Sequence, residues 1–417
     1  MTEYYKSIGK TPWDAIPVTF HIENGLWDIE YTKFLNYFQR VELDIQHRTM
    51  CKNIELANRK IKEAEANQNK PEKKESPKDS QCKKNRKARK SIVSSSKSDS
   101  NSSDNSDSEW EDSEDDEFKI PKNMWIVKPG ENTNRGNGIQ VCTTLNEVQS
   151  IIRTCRPKMF NTVNETSNKL EDIQRRTFIL QRYIDRPLLI RGRKFDIRAY
   201  GTMTSINGYL KGYFYEDGYI RTSSSKYTSK SNDVFIHLTN DAVQKYADNF
   251  GKYESGNKLS YQDFQKYLNS HYKDLNIWFY RDILPQIKRL MTDSFRSVFG
   301  KIDPYRRMNT FEIYGFDFML DRDFKVYLIE ANTNPWLELP WPLLARVISG
   351  MLDNSFRIAI DPLFPPSDFS FWWKRTAALP AETKYQLVFD EETDGTELTE
   401  LLKKQNNIIC KITSLII

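Results

Sequence analysis

Phe311-Glu312-Ile313-Tyr314-Gly315-Phe316-Asp317-Phe318-Met319-Leu320, then Asp321-Arg322-Asp323, then Phe324-Lys325-Val326-Tyr327-Leu328-Ile329-Glu330-Ala331-Asn332 reads as two apolar strands around an Asp-rich turn, a β-hairpin. With the connection centred between Asp323 and Phe324, Asp317 falls opposite Glu330 and Gly315 opposite Asn332. Alternation then puts Asp317, Glu330 and Asn332 on one face, and Phe316, Phe318, Ile329 and Ala331 on the other. Two facing carboxylates repel unless a cation lies between them or one keeps its proton through a raised pKa. With the amide oxygen of Asn332 they form a hard-oxygen set suited to Mg²⁺ bridging phosphates. The metal is the preferred reading, because a loop suited to phosphate lies upstream.

That loop follows Met124-Trp125-Ile126-Val127-Lys128, an apolar strand that delivers a lysine at its end. Pro129 to Gly138 then supplies Arg135, Gly136 and Gly138 before a second strand, Ile139-Gln140-Val141-Cys142. Glycines let backbone N–H groups approach a phosphate closely, and Lys128 and Arg135 bring charge. The loop is neither a Walker loop nor a Rossmann fingerprint. A glycine-rich hairpin turn with surface charges fits it equally well. Phe178-Ile179-Leu180-Gln181-Arg182-Tyr183-Ile184 runs from a buried strand into a polar turn, a place where backbone groups can meet a flat base, although an ordinary core strand has the same pattern. In Arg193-Lys194-Phe195-Asp196-Ile197-Arg198, alternation aligns Lys194, Asp196 and Arg198 on one strand face, against the alternative of a solvated sheet surface. Residues 151–230 hold 16 Lys or Arg against 7 Asp or Glu, so this region favours an anionic partner.

The 417 residues, 29% charged and 38% hydrophobic, suffice for a large core and exclude a fibrous or wholly disordered chain. No run approaches the ~18 apolar residues of a membrane span, and Met1 to Lys10 lacks a signal-peptide core. A soluble cytosolic or nuclear protein is expected, with no membrane partner. Five cysteines without C-x-x-C spacing read as reduced thiols, and four dispersed histidines offer no metal cluster or triad. The net charge of +5 averages a basic block, Lys70 to Lys90, with Ser91 to Glu117, where 27 residues include eleven Ser and ten Asp or Glu. So few apolar side chains cannot offset the ordering entropy, and this stretch is expected to be a disordered linker. Its basic run is a candidate nuclear signal, but no aromatic stacking platform accompanies it, so nucleic acid is not the expected partner. Ahead of it, Pro17 to Ile22 reads as a strand and Ile29 to Phe38 as an amphipathic helix. The expected organisation is a short N-terminal segment (1–65) packing on the body, the linker (66–117), a catalytic body (118–366) and a C-terminal tail (367–417).

The ordered blocks W-I-V-K-P with R-G-x-G-I, Q-R-Y-I, R-K-F-D-I-R, Y-I-R-T-S-S (Tyr219 to Ser224), H-L-T-N (His237 to Asn240), G-F-D-F-M-L-D and L-I-E-A-N-T-N-P span about 120–365 and resemble the tubulin–tyrosine ligase-like family. The resemblance implies an α/β (α+β) fold, a two-lobed ATP-grasp-like domain interrupted by the long insertion. It also implies ATP and Mg²⁺, a free amino acid and an acidic protein, usually the tails of tubulin, as partners, and a place in the cytoplasm at microtubules or cilia. Carried over position by position, Lys128, Arg135, Gly136 and Gly138 contact phosphates, while Gln181, Arg182, Tyr183 and Ile184 form the adenine-side hinge. Lys194, Asp196, Thr239 and Asn240 contact nucleotide. Arg198 and Arg221 hold the acceptor carboxylate or the incoming amino acid and neutralise the acyl phosphate, Lys194 counts with them among the catalytic residues, and Asp317, Glu330 and Asn332 ligate magnesium.

The implied activity is ATP-dependent ligation of an amino acid, glutamate or glycine in preference to tyrosine, to a protein carboxylate. The alternative is a catalytically impaired relative that binds tubulin or another acidic partner. Family members usually have a fuller N-terminal region, and no extended basic C-terminal domain is visible here.

Overall fold

The computed structural model describes residues 1–68, 122–130, 136, 138–153, 177–184, 186–365, 383–401 and 403, without side chains for 63–68. Two units emerge, Met1–Val41 with Pro121–Ile417, and Glu42–Ile120. The strands, all in the first unit, are β1 (Thr19–Ile22), β2 (Trp125–Pro129), β3 (Gln140–Cys142), β4 (Phe178–Arg182), β5 (Leu189–Ile190), β6 (Arg193–Ile206), β7 (Tyr209–Lys226), β8 (Lys258–Ser260), β9 (Asn309–Leu320), β10 (Val326–Asn332) and β11 (Tyr385–Asp390). The helices are α1 (Thr2–Ser7), α2 (Ile29–Gln68), α3 (Leu145–Ile152), α4 (Val234–His237), α5 (Asp241–Gln244), α6 (Tyr261–His271), α7 (Leu284–Ile302) and α8 (Pro342–Ala359). The second unit, in its described part, is the continuation of α2 from Glu42, with the i,i+4 pair Arg48–Asp44. The remainder of the expected linker lies outside the described residues.

A four-stranded antiparallel sheet, β1-β4-β2-β3, carries the first core. Tyr31, Phe34 and Phe38, spaced at three and four on α2, turn one stripe onto it, and Phe34 meets Trp125 edge to face with centroids 4.8 Å apart. Such a pair adds about 0.5–1.5 kcal/mol to area burial. The helix runs far beyond the expected Phe38 because nothing from Gln39 to Gln68 is Gly or Pro.

The larger sheet has the order β10-β9-β6-β7-β11, with β5 against β6 and β8 against β7. Strand β6 is buried on both faces. Its odd side chains, Phe195 and Ile197 among them, join a core with α6 and α7 through Phe264, Leu290 and Phe295. The other face is covered along its far half by α8, whose Leu344, Val347, Ile348 and Met351 pack on Tyr200, Tyr215 and Tyr219. The near half of that face holds the charged residues. Part of the segment expected as a tail is an edge strand: β11 pairs with β7, and Phe389 and Leu398 enter the core. Its Tyr385 hydroxyl bonds to Thr202 and Ser355, each at 2.8 Å.

The hairpin differs from expectation at its turn. Leu320 pairs with Val326, so the connection is five residues, Asp321 to Lys325, with Phe324 at φ +59°. A β-bulge between Leu328 and Glu330 then shifts the register by one, and Asp317 meets Glu330 and Gly315 meets Asn332 as read from sequence. No described helix is long and apolar enough to cross a membrane. Among the described residues, Cys51 and Cys142 are free thiols.

Candidate active site

Antiparallel register builds the site as a ladder of alternating charge across four neighbouring strands. Arg221 on β7 pairs with Asp196 on β6, Arg198 on β6 with Asp317 on β9, and Asp317 with Glu330 on β10. Because Asp196 and Arg198 are two residues apart, both project to the same face. Arg198 grips Asp317 by two bonds, Nε to Oδ1 at 2.5 Å and a terminal nitrogen to Oδ2 at 3.0 Å. Arg221 grips Asp196 in the same way, at 2.7 and 2.5 Å, and also reaches Asp317 Oδ2 at 2.7 Å. Thr239 donates to Asp196 Oδ2 at 2.7 Å. The unpaired charges that would make such a buried row costly are thus absent here. Gly315 makes room for it: a Cβ there would lie 2.8 Å from Pro335 Cβ and 3.2 Å from an Arg198 terminal nitrogen.

Electrostatics divide the row into two halves. Burial pushes Asp317 up, but Arg198 and Arg221 outweigh it and hold the carboxyl well below its usual range. Glu330 goes the other way, raised by burial and then by Asp317. Asn332 donates to Glu330 Oε1 at 3.2 Å and to the Gly315 carbonyl at 3.3 Å. Two carboxylates this close need a proton or a cation between them. The donor set fits Mg²⁺: two carboxylates and an amide oxygen, with remaining positions for water and phosphate. Among the described residues no group of three or more His, Cys, Asp or Glu offers another metal site.

Two buried lysines adjoin the row, Lys128 near Glu330 and Asp317 and Lys194 near Asp196. Lys128 has its pKa lowered by burial, an effect countered by Glu330 and Asp317. Lys194 falls to about 7 through burial, with Asp196 opposing and Lys128 reinforcing the shift. It donates to the His237 carbonyl at 2.7 Å and lies 4.6 Å from the centre of the Tyr183 ring. His237 is itself fixed by the Tyr183 hydroxyl at Nδ1 (2.8 Å) and the Ser231 carbonyl at Nε2 (2.6 Å). Two buried ammonium groups near enough to repel each other fit a polyanion such as a triphosphate. Gly136 and Gly138 have φ of +84° and +74°, which suits glycine, and a Cβ at Gly136 would lie 3.6 Å from the Asn240 side chain. The phosphate-suited loop therefore borders Asn240. Arg135 lies outside the described residues.

The residues expected as the hinge make the following contacts within the protein. Gln181 donates to Thr19 Oγ1 at 3.1 Å and Arg182 to the Tyr37 hydroxyl at 3.0 Å. The backbone N–H of Arg182 bonds to the Val18 carbonyl and that of Tyr183 to the Met124 carbonyl. Of these four residues, Tyr183 reaches the charged face through Lys194 and His237, and Ile184 is half-buried beside it in sequence. Sequence reasoning missed Lys258, cross-strand from Arg221, and its partner Asp241. Strand β8 has three residues, too few for alternation to show.

Two antiparallel sheets with a glycine loop, a lysine pair and a facing carboxylate pair define an ATP-grasp-like α+β protein. The chain belongs to the tubulin-tyrosine ligase family, whose model matches residues 39–368. It is 30% identical over 263 residues to human protein monoglycylase TTLL8, covering 62% of this chain and 29% of that protein. It is 32% identical over 244 residues to tubulin glycylase 3A of Drosophila melanogaster, covering 58% and 22%. To the probable alpha-tubulin polyglutamylase Ttll1 of Tetrahymena thermophila it is 30% identical over 280 residues, covering 65% and 62%. The chain thus spans less than two thirds of the length of each of these relatives.

Proposed function

We propose that this protein is an ATP- and Mg²⁺-dependent ligase that joins a free amino acid, glycine or glutamate, to a carboxylate on an acidic protein tail, with tubulin as the substrate. The reading is carried by the buried ladder Arg221–Asp196, Arg198–Asp317 and Glu330, with Lys128 near Glu330 and Asp317 and Lys194 near Asp196 and Lys128. A carboxylate has no leaving group for an amine to displace, and Mg²⁺-bound ATP supplies one by phosphorylating it. Asp317, Glu330 and Asn332 would hold the metal; Lys128, Lys194 and the loop glycines would hold phosphates. Arg198 and Arg221, each anchored by a bidentate bond to its own aspartate, are charged at every working pH and would hold the acceptor carboxylate. Thr239 and Asn240 complete the nucleotide side.

No side-chain nucleophile is needed. The protein's contribution is orientation and charge neutralisation in a site shielded from water. Microtubules, including those of cilia, are where such a substrate lies. Tubulin, Mg²⁺-ATP and labelled amino acids incubated with the protein test the proposal: label should enter tubulin tails, and Glu330→Gln should abolish its entry. Normal turnover by Glu330→Gln would defeat the assignment.

A further inference from the structure

Lys128 and Lys194 come from different sheets, Lys128 from β2 of the four-stranded sheet and Lys194 from β6 of the larger one. Tyr183 spans that boundary. It directly follows β4, and its backbone N–H donates to the carbonyl of Met124, the residue before β2, at 3.0 Å. Lys194 Nζ lies over its ring, 4.6 Å from the centroid, and its hydroxyl reaches His237 Nδ1 at 2.8 Å. The His237 imidazole is fixed in turn. A carbonyl oxygen only accepts, so the 2.6 Å contact with Ser231 puts the ring proton on Nε2. Burial lowers the His237 pKa, with the Ser231 bond opposing, and a neutral imidazole protonated at Nε2 offers Nδ1 as an acceptor. The Tyr183 hydroxyl is therefore the donor. The imidazole also meets the Tyr183 and Tyr227 rings edge to face, at 88° and 89°. The backbone carbonyl of the same histidine accepts from Lys194 Nζ at 2.7 Å. His237 thus holds Lys194 twice, directly through its carbonyl and through the tyrosine ring that covers the ammonium.

We propose that His237 is a positioning residue for the phosphate lysines: by accepting the Tyr183 hydroxyl it fixes the ring that ties Lys194 to the sheet carrying Lys128, so that both ammonium groups meet one polyanion. This rests on the ligase reading above, in which the two lysines hold the ATP phosphates. Lysine is long and flexible, and ordering it before the ligand arrives removes that entropy cost from binding. The two ammonium groups repel each other, so a free Lys194 would turn away from Lys128 in the absence of ligand. The ring face and the carbonyl oppose that movement.

Calorimetric binding of a non-hydrolysable ATP analogue with Mg²⁺ to the full-length chain tests this as a double-mutant cycle. His237→Leu, which cannot accept the hydroxyl, should weaken binding by about five- to tenfold, the scale of one lost hydrogen bond. Lys194→Met should weaken it as well. Adding His237→Leu to Lys194→Met should then cost no more than about twofold, because a residue that acts through the lysine has nothing left to position. A merely structural role for the histidine would lower affinity equally in both backgrounds. Tyr183→Phe keeps the ring and removes only the hydroxyl, so it should follow His237→Leu in both backgrounds and serves as the variant if His237→Leu does not fold. The inference falls, and the ligase reading stands, if the losses simply add or if Tyr183→Phe binds like the wild type. A wild-type protein that does not bind the analogue, or a Lys194→Met protein that binds it undiminished, defeats the phosphate assignment of the ligase reading and this inference with it.

Discussion

Arg198 lies directly opposite Asp317 in the β6–β9 pair and holds both of its carboxylate oxygens, at 2.5 and 3.0 Å. With Arg221 also on Oδ2, the aspartate stays ionised although buried. Replacing Arg198 by Met leaves part of this charge uncompensated. Breaking a buried pair from one side costs about 3–5 kcal/mol, and urea unfolding should show that loss together with loss of ligation. Arg198→Lys should recover part of the stability but little activity, because an ammonium cannot reproduce the two-pronged contact.

Glu330→Gln should behave in the opposite sense when no metal is bound. The folded-state pKa of Glu330 is raised, so the folded protein holds this proton more tightly than the unfolded chain. The stability this contributes is present at low pH and is lost as pH rises from the ordinary value of 4.5 through the raised one. Glutamine mimics the neutral acid at every pH. Without Mg²⁺, its melting temperature at neutral pH should equal or exceed that of the wild type, while Mg²⁺-dependent ATP affinity measured by calorimetry collapses.

Gly315 sets the spacing between the backbone and the proposed site. Alanine there would push on Pro335 and on the Arg198 guanidinium. An overpacked position costs about 1–3 kcal/mol, yet a catalytic group displaced by 1 Å costs about 10²-fold in rate. Gly315→Ala should therefore remain folded by circular dichroism and lose transfer activity on that scale.

If Lys194 holds phosphate as proposed, nucleotide binding should depend on pH. With its pKa lowered to about 7, it is largely neutral at pH 8, and a triphosphate beside it would restore the proton. Binding should take up a proton near pH 8, and affinity should weaken as pH rises above 7. Calorimetry in two buffers of different ionisation enthalpy reads the uptake directly. In Lys194→Arg, whose charge does not titrate, the uptake should vanish.

The hairpin shows how far residue order alone reaches. Asp317 opposite Glu330 was legible because alternation of apolar and polar residues leaves few registers that bury Phe316 and Phe318. The turn was not: the five-residue connection and the bulge at Leu328/Glu330 offset each other, and neither leaves a pattern in the sequence. Helix α2 was seen only where Tyr31, Phe34 and Phe38 mark a buried stripe, since its polar continuation carries no such stripe. The strand Tyr385–Asp390 leaves no mark in the sequence, because a six-residue edge strand is defined by the neighbour it pairs with.

By itself the sequence determined which strands carry charge and on which face, because side-chain parity along a strand is a local property. It also offered Lys128, Lys194, Asp317, Glu330 and Asn332 as candidates for the chemistry. Only the tertiary structure decided who neutralises whom: that Arg221 reaches both Asp196 and Asp317, that Asn240 borders Gly136, and that Asp241 silences Lys258. Those partners are 17 to 104 residues apart in the chain, the extremes being Asp241 with Lys258 and Gly136 with Asn240, and Coulomb energy depends on distance in space, which sheet order sets and local pattern does not.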